Sequence, residues 1–417
     1  MPNSDDKEAM ALSKALIKEL NKDQKGGKVA WCLATDKDNP TDVKDFISTG
    51  STLLDYLITN KRGGGIPVGK ITEIVGEEAT GKSLLVTQIL ANTQKRNGLA
   101  VYIDEENSLN PEFAQRVGLN LDKLVYMQCG SVEAVGEQIE KVINLARLKD
   151  VKNFITIVWD SVAATPPQAE LEGDYDPNSR MGLQAKAIAK MMRKLTKTVG
   201  QERVTLVFTN QMKVKFGVMF GDPMGTPGGK AIPYHASVRI RVYRSGELDK
   251  TPKPKDGEPK QPKNVYGIQT RAKIIKNRMG PPLRVCEFPL HFADGINDAL
   301  SVLDYLNDNL KITERKMGRY VFPSGLIVLG TEGTNAKTGE LFYDQKNVII
   351  GEVKLKPDEF EDRWKRDAEF KESIMKILDK NMIISLDSHA LPPDVDLDPE
   401  SYTDAEAVEQ LVAEGAI

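Results

Sequence analysis

Cysteine and histidine are scarce in this chain of 417 residues, which contains three of each. The cysteines Cys32, Cys129 and Cys286 are odd in number, lie far apart and form no CxxC pair. This spacing argues against a disulfide framework and against a zinc site, and it favours a reducing compartment. Three histidines also provide little material for a histidine metal cluster.

Long apolar stretches are missing as well. The first eight residues are polar, and no run of eighteen apolar residues occurs, so the sequence predicts a cytoplasmic protein without a membrane partner. Charge of either sign is not in large excess, because 57 basic residues face 60 acidic ones and the net charge is -3. Any contact with nucleic acid therefore has to come from a local basic patch.

An octapeptide, GEEATGKS at 76–83, has the GxxxxGK[ST] spacing of a phosphate-binding P-loop. It follows an apolar, β-branched run at 70–75 and precedes a helical pattern at 84–92, which is the strand, loop and helix order that the motif requires. In such a loop the backbone N–H groups hold a triphosphate, the lysine neutralises the β and γ phosphates, and the hydroxyl binds Mg²⁺. The alternative is a glycine-rich turn that caps a helix. The predicted ATP-binding residues here are Gly76, Glu77, Glu78, Ala79, Thr80, Gly81, Lys82 and Ser83.

Acidic residues close two further apolar runs. Asp160 follows the run at 154–159, where a P-loop fold places a carboxylate that holds magnesium, although an aspartate at this position is often only a helix N-cap. The run at 101–103 ends in Asp104, Glu105 and Glu106, and one such carboxylate can orient the attacking water as a general base. The spacing does not distinguish among the three.

Two segments are candidates for binding DNA. The loop at 212–231 follows Gln211, interleaves lysines and apolar residues with glycines, and fits either a DNA-binding loop or a flexible lid over the nucleotide. The irregular stretch at 170–182 leads into a helix with one apolar flank and one basic flank, which fits either a DNA track or a solvated face. The basic flank consists of Lys186, Lys190, Arg193 and Lys197, and the apolar flank begins at Met181.

The rest of the chain suggests three regions. Residues 1–46 contain a helix over 9–20 and a predicted strand over 28–33, which pack either on their own chain or on a neighbouring subunit. Residues 47–293 alternate strands and helices, the pattern of an α/β fold with a largely parallel sheet. Residues 294–417 predict a small α+β domain, with a helical stripe from Ala299 to Leu310, a strand over 320–329 and a helix over 370–378.

Two segments within these regions have unusual composition. The stretch 250–263 has four prolines and five lysines and is either a solvated excursion or a basic patch for DNA. The last 31 residues hold nine carboxylates and no lysine or arginine, which either repel DNA or only aid solubility.

From 47 to 297 the sequence resembles the ATPase core of the RecA recombinases, a family that includes the phage recombinase UvsX. The matching runs, in chain order, are ISTGS at 47–51, GEEATGKS at 76–83, YIDEENSLNP at 102–111, DSVAA at 160–164, ELEG at 170–173, MGL at 181–183, FGVMFG at 216–221, GG at 228–229, ASVR at 236–239 and KNR at 276–278. The resemblance implies a RecA-type P-loop core, with a short N-terminal helix and strand for polymerisation and a small α+β C-terminal domain.

The resemblance also assigns roles to residues. It implies that Glu106 is the catalytic carboxylate, that Gln211 senses the γ-phosphate, and that Phe113 stacks on adenine. It further implies that Lys276 and Arg278 reach the nucleotide of a neighbouring subunit, with Arg278 at a position where the family has lysine. The implied DNA contacts are Met181, Lys186, Arg193, Lys213, Lys215, Phe216, Gly228 and Gly229.

The implied function is a DNA-dependent ATPase that polymerises on single-stranded DNA and exchanges strands with duplex DNA, using ATP and Mg²⁺. Single-strand-binding and mediator proteins are implied partners. A hexameric helicase on the same core and a non-catalytic ATP-binding paralogue are the alternatives. The chain departs from the family at Ser83, Trp159 and Pro233, where threonine, valine and lysine are usual. The Pro233 change affects the expected subunit interface.

Overall fold

The computed structural model of the protein describes residues 4–22, 28–36, 43–149, 153–172, 182–214, 224–251, 262–334 and 341–384. The chain divides into two compact units, residues 1–45 and residues 46–417.

The first unit is built on one helix, α1 (Ser4–Asn21), whose apolar residues repeat along one side. The Asn21 side chain ends the helix by accepting hydrogen bonds from the backbone N–H groups of Val29 (2.8 Å) and Ala30 (3.0 Å). Asp36 accepts a further bond from the backbone of Cys32 (2.9 Å). The strand predicted over 28–33 is wrong for the single chain, because side chains rather than a partner strand bind these backbone donors.

The second unit is organised around a nine-stranded sheet. Its strands are β3 (Ile71–Gly76), β4 (Leu99–Asp104), β5 (Leu124–Met127), β6 (Ile155–Asp160), β7 (Val204–Gln211), β10 (Val238–Asp249), β11 (Val265–Asn277), β12 (Val285–His291) and β13 (Gly295–Ile296). Their order across the sheet is β13-β12-β11-β10-β3-β7-β6-β4-β5. In this order, the neighbours from β10 to β5 are parallel, whereas the neighbours from β13 to β10 are antiparallel. The predicted α/β fold with a largely parallel sheet is confirmed.

Helices cover both faces of this sheet, and the sheet separates the core into two apolar clusters. This is why β3, β4 and β6 are apolar on both faces, as parallel strands usually are. The helices of this part are α2 (Thr52–Thr59), α3 (Lys82–Lys95), α4 (Pro111–Arg116), α5 (Val132–Leu148), α6 (Gln168–Leu171), α7 (Leu183–Gln201) and α8 (Ala231–His235), with a 3₁₀ turn at Leu121–Lys123. Short strand pairs are β1 (Phe46–Ile47) with β2 (Ile66–Pro67), and β8 (Lys213–Val214) with β9 (Met224–Gly225).

Two strands of the sheet, β5 and the two-residue β13, were not predicted. β5 is only four residues long and lies at the edge of the sheet, where Val125 and Tyr126 remain exposed. A short strand exposed in this way lacks the apolar run that identified its neighbours.

The C-terminal part packs against the core within the same unit. It contains α9 (Asp298–Asp304), a π-helical turn (Tyr305–Asn309), α10 (Pro357–Arg366) and α11 (Ala368–Met382), with the strands β14 (Glu314–Lys316), β15 (Arg319–Phe322), β16 (Val328–Thr334), β17 (Leu341–Ile350) and β18 (Val353–Leu355). The guanidinium of Arg62 joins it to the core by contacting Glu372 (2.6 Å) and Asp379 (2.6 Å) on α11.

The predicted elements of the C-terminal part are largely present. The apolar stripe from Ala299 buries Leu303 and Leu306, and the helix predicted over 370–378 lies within α11. The single strand predicted over 320–329 is wrong, because a turn beginning at Pro323 separates β15 from β16. The acidic segment 387–417 and most of the 250–263 stretch lie outside the described residues.

Two kinds of feature are absent from the described part of the chain. Its helices are too short or too polar to span a bilayer. Within the same residues, the histidine, cysteine and carboxylate side chains do not gather in groups of three that are able to hold a metal ion.

Candidate nucleotide site

The P-loop connects the end of β3 to the start of α3. Gly76 ends the strand so close to β10 that a Cβ at this position would lie 2.4 Å from the carbonyl oxygen of Val242. Gly81 begins the helix with φ +90°, and a Cβ there would lie 2.7 Å from Leu290. Packing against the backbone of β10 therefore requires glycine at position 76, and the left-handed backbone conformation favours glycine at position 81. Between them Glu77, Glu78 and Ala79 are exposed and Thr80 is buried.

The ammonium of Lys82 folds back over this loop. Its Nζ donates hydrogen bonds to the backbone oxygens of Gly76 (3.1 Å) and Glu77 (2.5 Å). Burial lowers the pKa of Lys82, and the carboxylates of Asp160 and Glu106 counteract that shift, so both acids lie within electrostatic range of the ammonium. A lysine held by carbonyl oxygens is able to exchange them for phosphate oxygens.

The parallel register brings the other strand ends to the same edge of the sheet. Gly76 pairs with Gln211 on β7, and Asp104 pairs with Asp160 across β4 and β6. Ser83, the next residue of α3 after Lys82, is half-buried. Phe113 lies in the first turn of α4, also half-buried, with its N–H bound to the Asn110 side chain (3.0 Å).

The structure distinguishes the three acids that follow β4. Asp104 is buried and accepts hydrogen bonds from the backbone N–H groups of Ser108 (3.0 Å) and Leu109 (3.0 Å), so it organises the turn. Glu105 binds the backbone N–H groups of Cys129 (2.7 Å) and Gly130 (2.9 Å), which fixes the loop after β5.

Glu106 is the exposed acid of the three and accepts a hydrogen bond from the hydroxyl of Ser161, the residue after Asp160. Since Asp104 and Glu105 are engaged in holding loops, Glu106 is the carboxylate of this turn that is best placed to meet a solvent molecule.

Asp160 is almost completely buried, with 1% of its surface exposed. Its Oδ2 accepts hydrogen bonds from the hydroxyls of Tyr102 (2.7 Å) and Ser108 (3.3 Å), and its Oδ1 accepts one from Thr209. The preceding Trp159 is buried, and its indole N–H donates to Thr165 (2.9 Å), so the bulky residue is accommodated in the core behind the site.

Lys276 and Arg278 lie at the opposite edge of the sheet, where the parallel strands begin. β11 runs antiparallel to β10, so Lys276 pairs with Arg239 near the start of β10, whereas the P-loop lies beside Val242 farther along that strand. Lys276 donates to the carbonyl oxygens of Pro233 (2.6 Å) and Tyr234 (3.1 Å), and Arg278 donates to Tyr234 (3.3 Å). Both cations thus bind the last turn of α8.

Comparison with known proteins identifies the family. The family model described as the RecA N-terminal domain matches residues 10–297. The chain belongs to the RecA family. Protein RecA of Desulforapulum autotrophicum is 35% identical over 311 residues, which cover 75% of this chain and 82% of that protein. Protein RecA of Paramagnetospirillum magneticum is 35% identical over 334 residues, covering 80% and 86%. Protein RecA of Methylococcus capsulatus is 37% identical over 289 residues, covering 69% and 77%.

The predicted DNA contacts of this RecA-family chain lie partly within the described residues. On α7, Lys186 and Arg193 are exposed, on the flank beside the buried Ile188 and Met192. Met181, Lys215 and Phe216 lie outside the described residues. Lys213 belongs to β8, which pairs with β9 across the base of the loop.

The glycine pair of the same loop packs on α7. Gly228 is buried, and a Cβ at this position would lie 2.6 Å from Ile188. Gly229 is exposed, and a Cβ there would lie 3.0 Å from Ala185. Both have positive φ angles, +85° and +71°, so the end of the loop depends on glycine for its conformation and for its contact with the helix.

Sequence reasoning missed a buried polar relay behind the RecA-family site. Glu73, fully buried in β3, accepts hydrogen bonds from Asn210 (3.1 Å) and from Arg239 (2.6 Å). Asn210 also donates to the carbonyl oxygen of Pro227 (3.1 Å), immediately before the glycine pair. The relay therefore joins the strand end that carries Gln211 to the base of the 212–231 loop. The signal available in the sequence was a carboxylate inside an otherwise apolar strand.

Proposed function

We propose that this protein is a DNA-dependent ATPase that assembles into filaments on single-stranded DNA and catalyses homologous pairing and strand exchange in recombination and repair. The observation that carries the proposal is the division of the site: the P-loop, Glu106 and Asp160 share one edge of the sheet, and Lys276 and Arg278 lie at the other. A site divided in this way is completed by head-to-tail association of identical chains.

The residues present fit a magnesium nucleotide. Gly76 and Gly81 let the loop between them pack closely against the core strands, and the Lys82 ammonium lies over this loop. The hydroxyl of Ser83 and the carboxylate of Asp160 are hard oxygen donors of the kind that Mg²⁺ prefers. When bound, Mg²⁺ neutralises charge on the β and γ phosphates. The backbone of Glu77 to Thr80 would hold the phosphates, and Phe113 would pack on the adenine.

Hydrolysis needs a group that orients water against the γ-phosphate. Glu106 is proposed for this role because it is exposed beside Ser161, whereas Asp104 and Glu105 hold loops. Gln211 is proposed to detect the γ-phosphate, and the Asn210–Glu73 relay behind it supports transmission of that signal to the DNA loop at 212–231.

Lys276 and Arg278 are proposed to stabilise the transition state in a neighbouring subunit. Burial and the nearby charge of Arg278 lower the pKa of Lys276, so this edge concentrates positive charge. Lys276 lies away from the P-loop of its own chain, and this position supports a role at the nucleotide of a neighbouring subunit.

Assembly is proposed to use residues 1–46. The apolar side of α1 is exposed at Leu12, Leu16 and Leu20, and β5 offers an open strand edge on the core. Residues 47–293 would form the ATPase and DNA-binding core. Residues 294–417 would form a C-terminal domain whose acidic tail restrains binding of duplex DNA.

DNA is proposed to lie along two adjoining surfaces. One is the exposed basic flank of α7, with Lys186 and Arg193, and the other is the 212–231 loop, whose base rests on α7 through Gly228 and Gly229. The stretch 170–182 leads to the same helix. Single-strand-binding and mediator proteins are proposed to assist loading.

The proposal is tested by ATP hydrolysis with and without single-stranded DNA. The wild-type protein should be stimulated by the DNA, and Glu106→Gln should bind ATP but lose turnover. Glu112→Gln, which alters an exposed carboxylate on α4, is the matched control and should behave as wild type. Absence of stimulation in the wild type would refute the proposal.

Electron microscopy with a non-hydrolysable ATP analogue separates the alternatives. Open helical filaments on single-stranded DNA support the recombinase. Closed hexamers with directional unwinding would identify a helicase. In the hydrolysis assay, a Glu106→Gln protein with the same turnover as wild type would favour the non-catalytic paralogue that only binds ATP and partners.

A further inference from the structure

Two tyrosines lie on neighbouring strands, close to the strand ends that form the candidate nucleotide site. Tyr102 on β4 and Tyr126 on β5 are directly paired in the parallel register, with ring centroids 6.4 Å apart and an angle of 20° between the rings. Tyr102 is fully buried, and Tyr126 is 46% exposed. Each hydroxyl donates a hydrogen bond to a carboxylate at the end of β4 or β6.

The Tyr102 hydroxyl holds Asp160. It donates to Oδ2 at 2.7 Å, while Thr209 on β7 donates to Oδ1, so strands on both sides of β6 fix the carboxylate. Ser108 contributes a longer bond of 3.3 Å to the same Oδ2. Without the phenol, Oδ2 would retain this weaker donor and the carboxylate would be free to rotate.

The Tyr126 hydroxyl acts on the neighbouring turn. It donates to Oδ2 of Asp104 (3.2 Å), and Oδ1 of Asp104 accepts from the backbone N–H of Glu106 (3.2 Å). Each phenol has one O–H group, and in these contacts it donates to a carboxylate oxygen, which can only accept.

We propose that Tyr102 is a positioning residue for magnesium: its buried hydroxyl orients the Asp160 carboxylate toward the metal of the bound nucleotide. Tyr126, through Asp104, orients the turn that carries Glu106 and does not orient Asp160. This inference rests on the proposed function. Groups that orient a metal ligand commonly contribute as much to metal affinity as a weak ligand does, because they fix the ligand before the metal arrives.

The test is a magnesium titration of nucleotide binding without DNA. A fluorescent ADP analogue is bound to wild type and to Tyr102→Phe, and the Mg²⁺ concentration that gives half of the maximal signal is measured. We expect this concentration to rise about tenfold in Tyr102→Phe. Binding at saturating Mg²⁺ should stay near the wild-type value, because the P-loop contacts are unchanged.

Two matched variants separate positioning from a general loss of a phenol. Tyr126→Phe should keep the wild-type Mg²⁺ midpoint and lower the rate of ATP hydrolysis. Tyr56→Phe removes a buried phenol that donates to Asp379 (2.5 Å) on α11, so it should lose stability without any change in the Mg²⁺ midpoint. Thermal melting of all three shows whether each remains folded.

An unchanged Mg²⁺ midpoint in a folded Tyr102→Phe protein would overturn the inference. If that variant does not melt cooperatively, Ser108→Ala replaces it, because Ser108 is exposed and donates the longer bond to the same oxygen. Ser108→Ala should raise the midpoint, and by less than tenfold; no shift overturns the inference. If nucleotide binding by the wild type does not depend on Mg²⁺, the proposed function itself has failed, and this result is distinct from either outcome.

Discussion

The two edges of the parallel sheet differ in the charge that they carry. At the carboxyl edge, strands end in Asp104 and Asp160 around the P-loop. At the amino edge, burial lowers the pKa values of Lys276 and His235, and the nearby charge of Arg278 lowers both further. The carboxyl edge is assembled within one chain, whereas in the proposed function the amino edge supplies the cations that a phosphoryl transfer site needs.

Under the proposed function, this difference makes the P-loop of one chain half of a site. Parallel strands gather their carboxyl ends at one edge, so β3, β4, β6 and β7 converge there whatever lies outside the sheet. Lys276 lies near the end of the antiparallel strand β11 and Arg278 follows that strand, so both lie at the opposite edge. Association of chains head to tail is the arrangement that unites the two edges.

The largest effect is expected at the carboxyl edge. Lys82→Ala should reduce ATP hydrolysis by at least about a hundredfold, because it removes the cation that lies over the phosphate cradle. Lys95→Ala, an exposed lysine in the last turn of the same helix, is the control and should hydrolyse ATP as wild type does. Nucleotide binding and turnover are measured together. Comparable turnover in the two variants would contradict the phosphate-binding role of Lys82.

Mixing two inactive variants tests whether the two edges meet between subunits. Lys276→Ala lacks one of the amino edge cations, and Glu106→Gln lacks the carboxyl edge acid. If the edges meet between subunits, an equal mixture should recover roughly a quarter of the wild-type DNA-stimulated hydrolysis, because one in four random head-to-tail contacts joins an intact Glu106 to an intact Lys276. A mixture no more active than its components would show that the edges do not cooperate between chains.

An intermediate effect is expected from the relay that runs behind the carboxyl edge. Glu73→Gln should destabilise the protein by about 3 kcal/mol, because it leaves the Arg239 guanidinium without its buried carboxylate. Hydrolysis without DNA should persist while stimulation by DNA falls.

The double variant Glu73→Gln and Arg239→Met is the control for that experiment. It should recover much of the stability, since no unpaired charge remains, but not the stimulation by DNA. Urea unfolding and ATP hydrolysis with and without DNA are the measurements. Full recovery of DNA stimulation in the double variant would reduce the relay to a structural ion pair.

The smallest effect concerns a carboxylate outside both edges. Burial raises the pKa of Asp304 to about 6, helped by Asp308. Well below pH 4 this carboxyl is protonated in both the folded and the unfolded protein. As the pH rises from about 4 to about 6, the unfolded chain ionises it while burial keeps it protonated in the folded protein, so stability falls; this loss has barely begun at pH 4 and is complete above about pH 6.

Asp304→Asn should therefore gain stability relative to wild type at pH 8 and not at pH 4, as measured by urea unfolding at both values. Asp122→Asn, an exposed aspartate after α4, should show no such difference. Equal gains at both pH values for Asp304→Asn would exclude ionisation as the cause.

Much of the architecture was predictable from local pattern. The spacing of Gly76, Gly81 and Lys82 between an apolar run and a helical pattern identified the loop, and apolar runs ending in acids identified β4 and β6. These features are local, so neighbouring residues in the chain are enough to reveal them. β5 and the break at Pro323 were missed because a short exposed strand and a turn inside an apolar run leave weak periodicity.

The spacing of residues in the sequence could not show which of the three acids after β4 is available to meet a solvent molecule. Asp104, Glu105 and Glu106 are chemically similar and adjacent, and they differ only in what folds around them: Asp104 binds its own turn, and Glu105 binds the loop after β5. Family resemblance pointed to Glu106, and the contacts supply a physical reason for the difference.

The sequence by itself determined the phosphate loop, the parallel α/β core and the acids that close its strands, because each depends on residues that are close together in the chain. The tertiary structure alone decided that Glu73, Asn210 and Arg239 form one relay, that Tyr102 holds Asp160, and that Lys276 lies on the edge opposite the P-loop. These contacts join residues far apart in sequence. Strand order and register set their geometry, and neither is encoded in any single segment.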